Sequence, residues 1–236
     1  VRLAGGKTVH VPLTYPGFHI DFDRLDDAIS SRTKLIIVNS PHNPSGSVVS
    51  ASDLDRLAET IRDTKILLLA DEVYEHMVYD GVAHQSVSGH EELKRRSFVV
   101  SSFGKTYHAT GWKVGYCGAP AALSSEFRKI HQFVNFTTHT PTQWAIAEYM
   151  EQHPEHYQEL PRFYQEKRDL FVREMAASRF VLEPAAGTYF QLTDYGALSS
   201  MPDVEFAAYL TRHVGVASIP ISVFYASPPD RHIVRF

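Results

Sequence analysis

Lys105 closes the run Ser101-Ser102-Phe103-Gly104-Lys105, which leaves an apolar segment and carries a glycine and two serines that let backbone approach a ligand. A primary amine so placed condenses with an aldehyde to give an imine, and once a second amine displaces it, it can move a proton. Most lysines are only solvated surface residues, so the reading depends on the company this one keeps. Asp71 follows four apolar residues and begins Asp71-Glu72-Val73-Tyr74. A carboxylate against a pyridine nitrogen keeps the ring protonated, and a protonated ring takes up the electron pair released when a bond at an amino acid's Cα breaks. An aspartate there serves equally well as a helix cap. Arg235, set between apolar residues in Ile233-Val234-Arg235-Phe236, is either an edge residue facing water or a buried partner for an anion.

Elements that would position these groups follow from periodicity. Residues 21–30 read as a helix, and 34–39 as a buried strand running into the breaker-rich Ser40-Pro41-His42-Asn43-Pro44-Ser45-Gly46. Ser52 can cap a helix reaching Arg62, and 66–70, 97–101 and 114–118 read as further strands. Strands that are apolar on both faces and separated by helices argue for a mostly parallel sheet covered on both sides. Such sheets bind ligands outside the carboxyl ends of their strands. Asn43, Asp71 with Tyr74, and Lys105 fall there, after successive strands.

Residues 122–133 and 142–150 then read as helices. A long amphipathic helix follows over 154–177, with Tyr157, Leu160, Phe163 or Tyr164, Leu170 and Phe171 as its apolar face. Beyond it, strands are expected over 179–182 and 188–192 across a turn at 184–187, a helix over 204–213, and short segments at 215–219 and 233–236. The change of texture places a boundary at 154/155, between a large α/β domain (1–154) and a smaller α+β domain (155–236).

With 44% apolar and 21% charged residues, the composition is that of a folded protein. A formal charge of -4 supplies no basic field for nucleic acid, and no apolar run is long enough for a membrane span. Both point to a small-molecule partner. The single cysteine, Cys117, allows no intrachain disulfide, which favours a reducing compartment and a cytoplasmic location. The 13 histidines show no compact metal-ligand spacing.

Taken together, four ordered motifs resemble the class I, fold-type I pyridoxal-phosphate aminotransferases, within them the group of methionine aminotransferases and kynurenine and glutamine transaminases. These motifs are Asn39-Ser40-Pro41-His42-Asn43-Pro44-Ser45-Gly46, Asp71-Glu72-Val73-Tyr74, Ser102-Phe103-Gly104-Lys105 and Gly111-Trp112-Lys113-Val114-Gly115-Tyr116. The resemblance implies that Lys105 holds pyridoxal 5'-phosphate as a Schiff base and that Asp71 meets the ring nitrogen. It implies that Asn43 and Tyr74 hydrogen-bond the ring hydroxyl, that Ser102 and Lys113 hold the phosphate, and that Arg235, with Asn43, binds the substrate carboxylate. Many relatives carry arginine where this chain has Lys113, which is a point charge without a planar fork. The Asn43-Pro44 bond resembles one that is cis in the family, and the sequence leaves its state open.

The resemblance further implies transfer of an amino group between a large neutral amino acid, methionine or an aromatic, and a 2-oxo acid, in a homodimer with the site near the interface. Elimination on cysteine conjugates uses the same proton abstraction, so a β-lyase is an alternative, as is an interaction domain that kept the fold and lost catalysis. Relatives place a glycine-containing phosphate nest and a ring-stacking aromatic upstream of where this chain starts. The sequence is therefore expected to lack parts of both ends.

Overall fold

The computed structural model describes residues 1–236. The first helix, α1 (Phe22–Ala28), begins where the Asp21 side chain accepts from the Arg24 amide at 3.1 Å. Strand β1 (Leu35–Asn39) leads into the Asn-Pro loop, and α2 (Ala51–Ile61) follows. Its cap is Ser50, not Ser52. Ser50 and Asp53 form a reciprocal box, Asp53 N to Ser50 Oγ at 3.1 Å and Ser50 N to Asp53 Oδ2 at 2.8 Å, while Ser52 lies inside the first turn. Leu54, Leu57, Ala58 and Ile61 repeat at helical spacing, and all are buried against the sheet.

Strands β2 (Leu67–Asp71) and β3 (Ser97–Ser102) complete a parallel trio with β1. After β3 comes the one-turn helix α3 (Phe103–Thr106), and the chain returns as β4 (Gly115–Gly118), antiparallel to β3. The sheet order β1-β2-β3-β4 is thus mostly parallel with one antiparallel edge. Register sets the site: Asn39 pairs with Asp71 and Asp71 with Val100, so the carboxyl ends of the three parallel strands finish side by side. Buried Leu25, Ile61, Ile66, Leu68, Val87 and Leu93 anchor the sheet beneath that edge. Burying each such side chain contributes about 1.5–3 kcal/mol.

Helices α4 (Ala121–Val134), α5 (Thr140–Gln152) and α6 (His156–Met175) follow. On α6 the expected apolar face is only partly the inner one. Leu160 is buried, but Tyr157, Phe163 and Leu170 are exposed, and the inward row at spacing four is Leu160, Tyr164, Arg168 and Val172. Leu160 packs with Tyr74, Met77 and Tyr79, so α6 lies against the segment that follows β2.

A second sheet, in order β5-β7-β6, is built from β5 (Leu192–Asp194), β6 (Ile219–Pro220) and β7 (Ile233–Arg235), with α7 (Asp203–Tyr209) between β5 and β6. The expected strand over 179–182 is reduced to a single bridge, Val181 to Asp194. The expected strand over 188–192 starts only at its last residue, because Thr188 sits at φ 67 and breaks the extended run. The expected helix over 204–213 becomes α7 plus a wider turn over Leu210–Val214 that stops at Gly215, φ 80. Tyr195, Phe206, Ala207, Leu210 and Val234 form this sheet's own core.

Candidate active site

The Asn-Pro loop is fastened at both ends to neighbouring elements. Asn39 Nδ2 donates to the Asp71 carbonyl at 2.9 Å and Asn39 Oδ1 accepts from the Asn43 amide at 2.8 Å, so one side chain ties the end of β2 to the loop. Both Ser40-Pro41 and Asn43-Pro44 are cis. Gly46 turns the loop at φ 74 with its amide on the His42 carbonyl at 2.7 Å. A Cβ at this position would lie 2.6 Å from that of Ala185. The Gly46 carbonyl accepts from Gly187 at 2.8 Å, which presses the segment 185–190 onto the loop. Half-buried His42 shares a 2.7 Å hydrogen bond with Ser45 Oγ, and desolvation of its ring drives its pKa down to about 4.

Asp71 ends β2 with its Oδ1 accepting from Val73 N at 3.4 Å. No helix begins there, so the residue is not a cap; the chain turns instead and presents Tyr74. Burial pushes the Asp71 carboxyl above the ordinary range, opposed by the Val73 amide and reinforced by Glu72. Tyr74 is buried, and desolvation together with the Tyr189 phenol holds its hydroxyl well above the usual tyrosine range. Behind this edge Glu75 Oε1 accepts from Ser101 Oγ and Tyr116 Oη, each at 2.6 Å, and buried Glu72 accepts from Val87 N and contacts His84 Nε2, each at 2.9 Å.

Lys105 projects from α3, whose geometry is fixed by Phe103 N on the Val114 carbonyl at 3.1 Å and Thr110 Oγ1 on the Gly104 carbonyl at 3.1 Å. Its Nζ donates to Tyr189 Oη at 3.0 Å and lies 5.6 Å from the Tyr74 ring centre and 5.7 Å from that of Tyr189. On the other side, the Arg235 guanidinium hydrogen-bonds Asn43 Oδ1 and lies 3.9 Å over the Phe190 ring and 5.5 Å from that of Phe224. Arg235 therefore faces inward, toward Asn43, and not into water. Burial lowers its pKa, against which the Tyr74 and Tyr189 phenols act.

Five of the residues read from sequence, Asn43, Asp71, Tyr74, Lys105 and Arg235, thus gather at one edge around an aromatic wall. Ser102 and Lys113 flank α3 without joining that cluster: Ser102 pairs with Gly115 in the sheet, and exposed Lys113 turns the chain at φ 56. Three participants were not read from the sequence. Asn39 lay within a motif without a role, and Tyr189 and Phe190 were absorbed into an expected strand. No local signal marks Tyr189, because the turn at Thr188 that aims it is imposed by Met77 and Tyr79.

The family model for aminotransferase class I and II matches residues 1–235. Over 235 residues the chain is 46% identical to a methionine aminotransferase of Escherichia coli, covering 100% of this chain and 61% of that protein. It is 31% identical to human kynurenine–oxoglutarate transaminase 1, covering 99% and 62%. Among solved structures, an Escherichia coli protein identified as having methionine aminotransferase function superposes with a TM-score of 0.96 over 99% of this chain and 61% of that one. The N-succinyldiaminopimelate aminotransferase of Mycobacterium tuberculosis superposes with a TM-score of 0.94 at 34% identity, over 100% and 62%. The chain thus spans about three fifths of these relatives' length, and its architecture is that of the fold-type I enzymes. By its matched length and its likeness to these enzymes, the chain belongs to the aminotransferase class I and II family.

Proposed function

We propose that the protein carrying this chain is a pyridoxal-phosphate-dependent aminotransferase that moves the amino group between a large neutral amino acid, methionine or an aromatic, and a 2-oxo acid. The observation that carries this reading is the convergence of one lysine amine, one partly buried carboxylate and one inward-facing arginine at the same sheet edge. That donor set fits the cofactor. When bound, pyridoxal phosphate supplies an aldehyde that condenses with amines and a ring that accepts an electron pair.

The chain's own residues have distinct tasks. Lys105 Nζ would anchor the cofactor, and as a free amine it would hold and move the proton at the substrate Cα. Asp71 meets the ring nitrogen, its burial giving the charge a strong field. Asn43 and Tyr74 direct hydrogen bonds to the ring hydroxyl, Tyr74 staying protonated because burial disfavours the phenolate. Ser102, just before α3, and Lys113, both flanking the cluster, would hold the phosphate. Arg235 offers the fork that receives the substrate carboxylate, its plane steadied by Phe190 and by Asn43. The wall of Tyr74, Tyr164, Tyr189 and Phe190 offers aromatic surface for a substrate side chain, and the two cations against it, Lys105 and Arg235, already have the cofactor and the substrate carboxylate as their tasks, which favours methionine and aromatic donors.

We also infer a division into a large domain, 1–154, and a small one, 155–236, a homodimer with the site near its interface, and a cytoplasmic location. No helix of the chain is long and apolar enough to cross a membrane. The test is steady-state transamination by the full-length protein with methionine, phenylalanine and aspartate as donors. Turnover with the first two and its loss in Lys105→Ala supports the reading. Full turnover in Lys105→Ala overturns it, and a preference for aspartate overturns the donor class.

A further inference from the structure

Tyr189 lies 84 positions beyond Lys105 in sequence, yet it receives the Lys105 amine at 3.0 Å. Nothing about that contact is incidental to the backbone. Thr188, a β-branched residue, is held at φ 67, a conformation that costs such a residue free energy and persists only where its surroundings enforce it. Here they do. Thr188 N donates to the Met77 carbonyl at 2.9 Å, the Thr188 carbonyl accepts from Tyr79 Oη, and Thr188 Oγ1 accepts from Phe190 N at 3.2 Å. Gly187 closes the approach, since a Cβ there would fall 2.7 Å from the Met77 carbonyl. The result of this turn is to swing the next side chain, Tyr189, over the site.

The ring is then fixed by three aromatic neighbours: Tyr74 edge-on at 5.5 Å and 84°, Tyr164 at 5.5 Å and 34°, and Phe190 at 4.5 Å and 61°. Tyr189 is 38% exposed, yet these three rings restrict its tilt and its hydroxyl is directed at Lys105. A lysine side chain has four rotatable bonds and gains direction only from what its terminal atom meets. Lys105 meets Tyr189 Oη.

We infer that Tyr189 is a positioning residue for the reaction, its hydroxyl holding the Lys105 amine whenever that amine is not on the cofactor. The inference rests on the assignment of Lys105 as the reacting amine. A held amine spends more of its time where it can reach the substrate Cα, so the step that benefits is proton transfer and not substrate binding. Packing alone would require only the ring; positioning requires the oxygen.

Two substitutions in the full-length protein separate these possibilities. Tyr189→Phe keeps the ring and removes the oxygen, whereas Tyr189→Leu removes both. With positioning by the hydroxyl, both variants lower kcat by roughly 10-fold with the methionine KM within about 2-fold of the parent. In cofactor-free protein, reductive methylation of Lys105 in Tyr189→Phe, read by mass spectrometry against exposed Lys113, should become at least about 3-fold faster, because the amine is no longer held. Parental kcat and parental Lys105 labelling in Tyr189→Phe overturn the inference, even where Tyr189→Leu is impaired or fails to fold. Lys105→Ala run in parallel keeps the two claims apart: if it is inactive while Tyr189→Phe is unaltered, only the role of Tyr189 falls. If Lys105→Ala turns over normally, the assignment of the reacting amine falls with it.

Discussion

The Arg235 guanidinium donates to the side-chain carbonyl of Asn43, joining two residues 192 positions apart across the two sheets. Its plane lies against Phe190, and one arm is occupied by Asn43, so the fork is held in one orientation, which on the proposed reading is set before substrate arrives. Arg235→Lys keeps the charge and loses the fork. The KM for both the amino acid and the 2-oxo acid should rise roughly 30-fold, measured by steady-state kinetics, because both carry the same carboxylate. Unchanged KM values would show that Arg235 does not receive substrate.

Asp71 illustrates a conflict between stability and function. Burial raises its pKa above the ordinary carboxyl value. Between the unfolded and folded values the folded chain therefore binds the extra proton, and stability falls as pH rises through that window. In cofactor-free protein at neutral pH, Asp71→Asn should raise the Tm seen by calorimetry, while kcat of the loaded enzyme falls by about 100-fold or more. A lower Tm would identify Asp71 as a structural residue.

The half-buried imidazole of His42 gives the Asn-Pro loop an acid limit. Its pKa, about 4, lies below that of an unfolded histidine. The unfolded chain then binds the extra proton between about 4 and about 6.5, so stability is full above that window and declines as pH falls through it. The slope from this one group is at most roughly 1 kcal/mol per pH unit. Denaturant titrations of His42→Gln between pH 4 and pH 7 should show a correspondingly flatter dependence than the parent. An identical dependence would mean that His42 is not held neutral.

Arg168, on the inner row of α6, clamps the segment after β2. It meets Asp80 at 2.6 and 2.7 Å and the Ala185 carbonyl at 2.9 Å, and its guanidinium lies 5.0 Å from the Tyr79 ring. The two partners are unequal, since the Arg168 side chain is 8% exposed and that of Asp80 56%. Arg168→Leu should cost about 2 kcal/mol in urea unfolding, whereas Asp80→Ala should cost less than about 1 kcal/mol. The reverse order would contradict this account of the clamp.

Much of the large sheet was legible because its signals are local. The apolar runs ending at Asn39 and Asp71 became β1 and β2 with nearly the expected bounds, and the polar residues just past them mark the edge where the candidate site gathers. Asn43, Asp71, Tyr74 and Lys105 were legible for that reason. Thr188 and Tyr189 were not. A threonine at positive φ follows no propensity, and its conformation is imposed by Met77 and Tyr79, about 110 residues earlier. The inner face of α6 is hidden from the sequence for a related reason: Arg168 is an inward residue because Asp80 and Ala185 satisfy it, a tertiary fact that hydrophobic periodicity cannot register.

Lys105, proposed as the amine that holds the cofactor, can be mapped directly. The full-length protein should be loaded with pyridoxal phosphate, reduced with borohydride, digested, and mapped by mass spectrometry. The expected result is loss of the visible absorbance on reduction and a phosphopyridoxyl group on Lys105. A group on Lys113 or another lysine, or no adduct in protein that transaminates methionine, would contradict it.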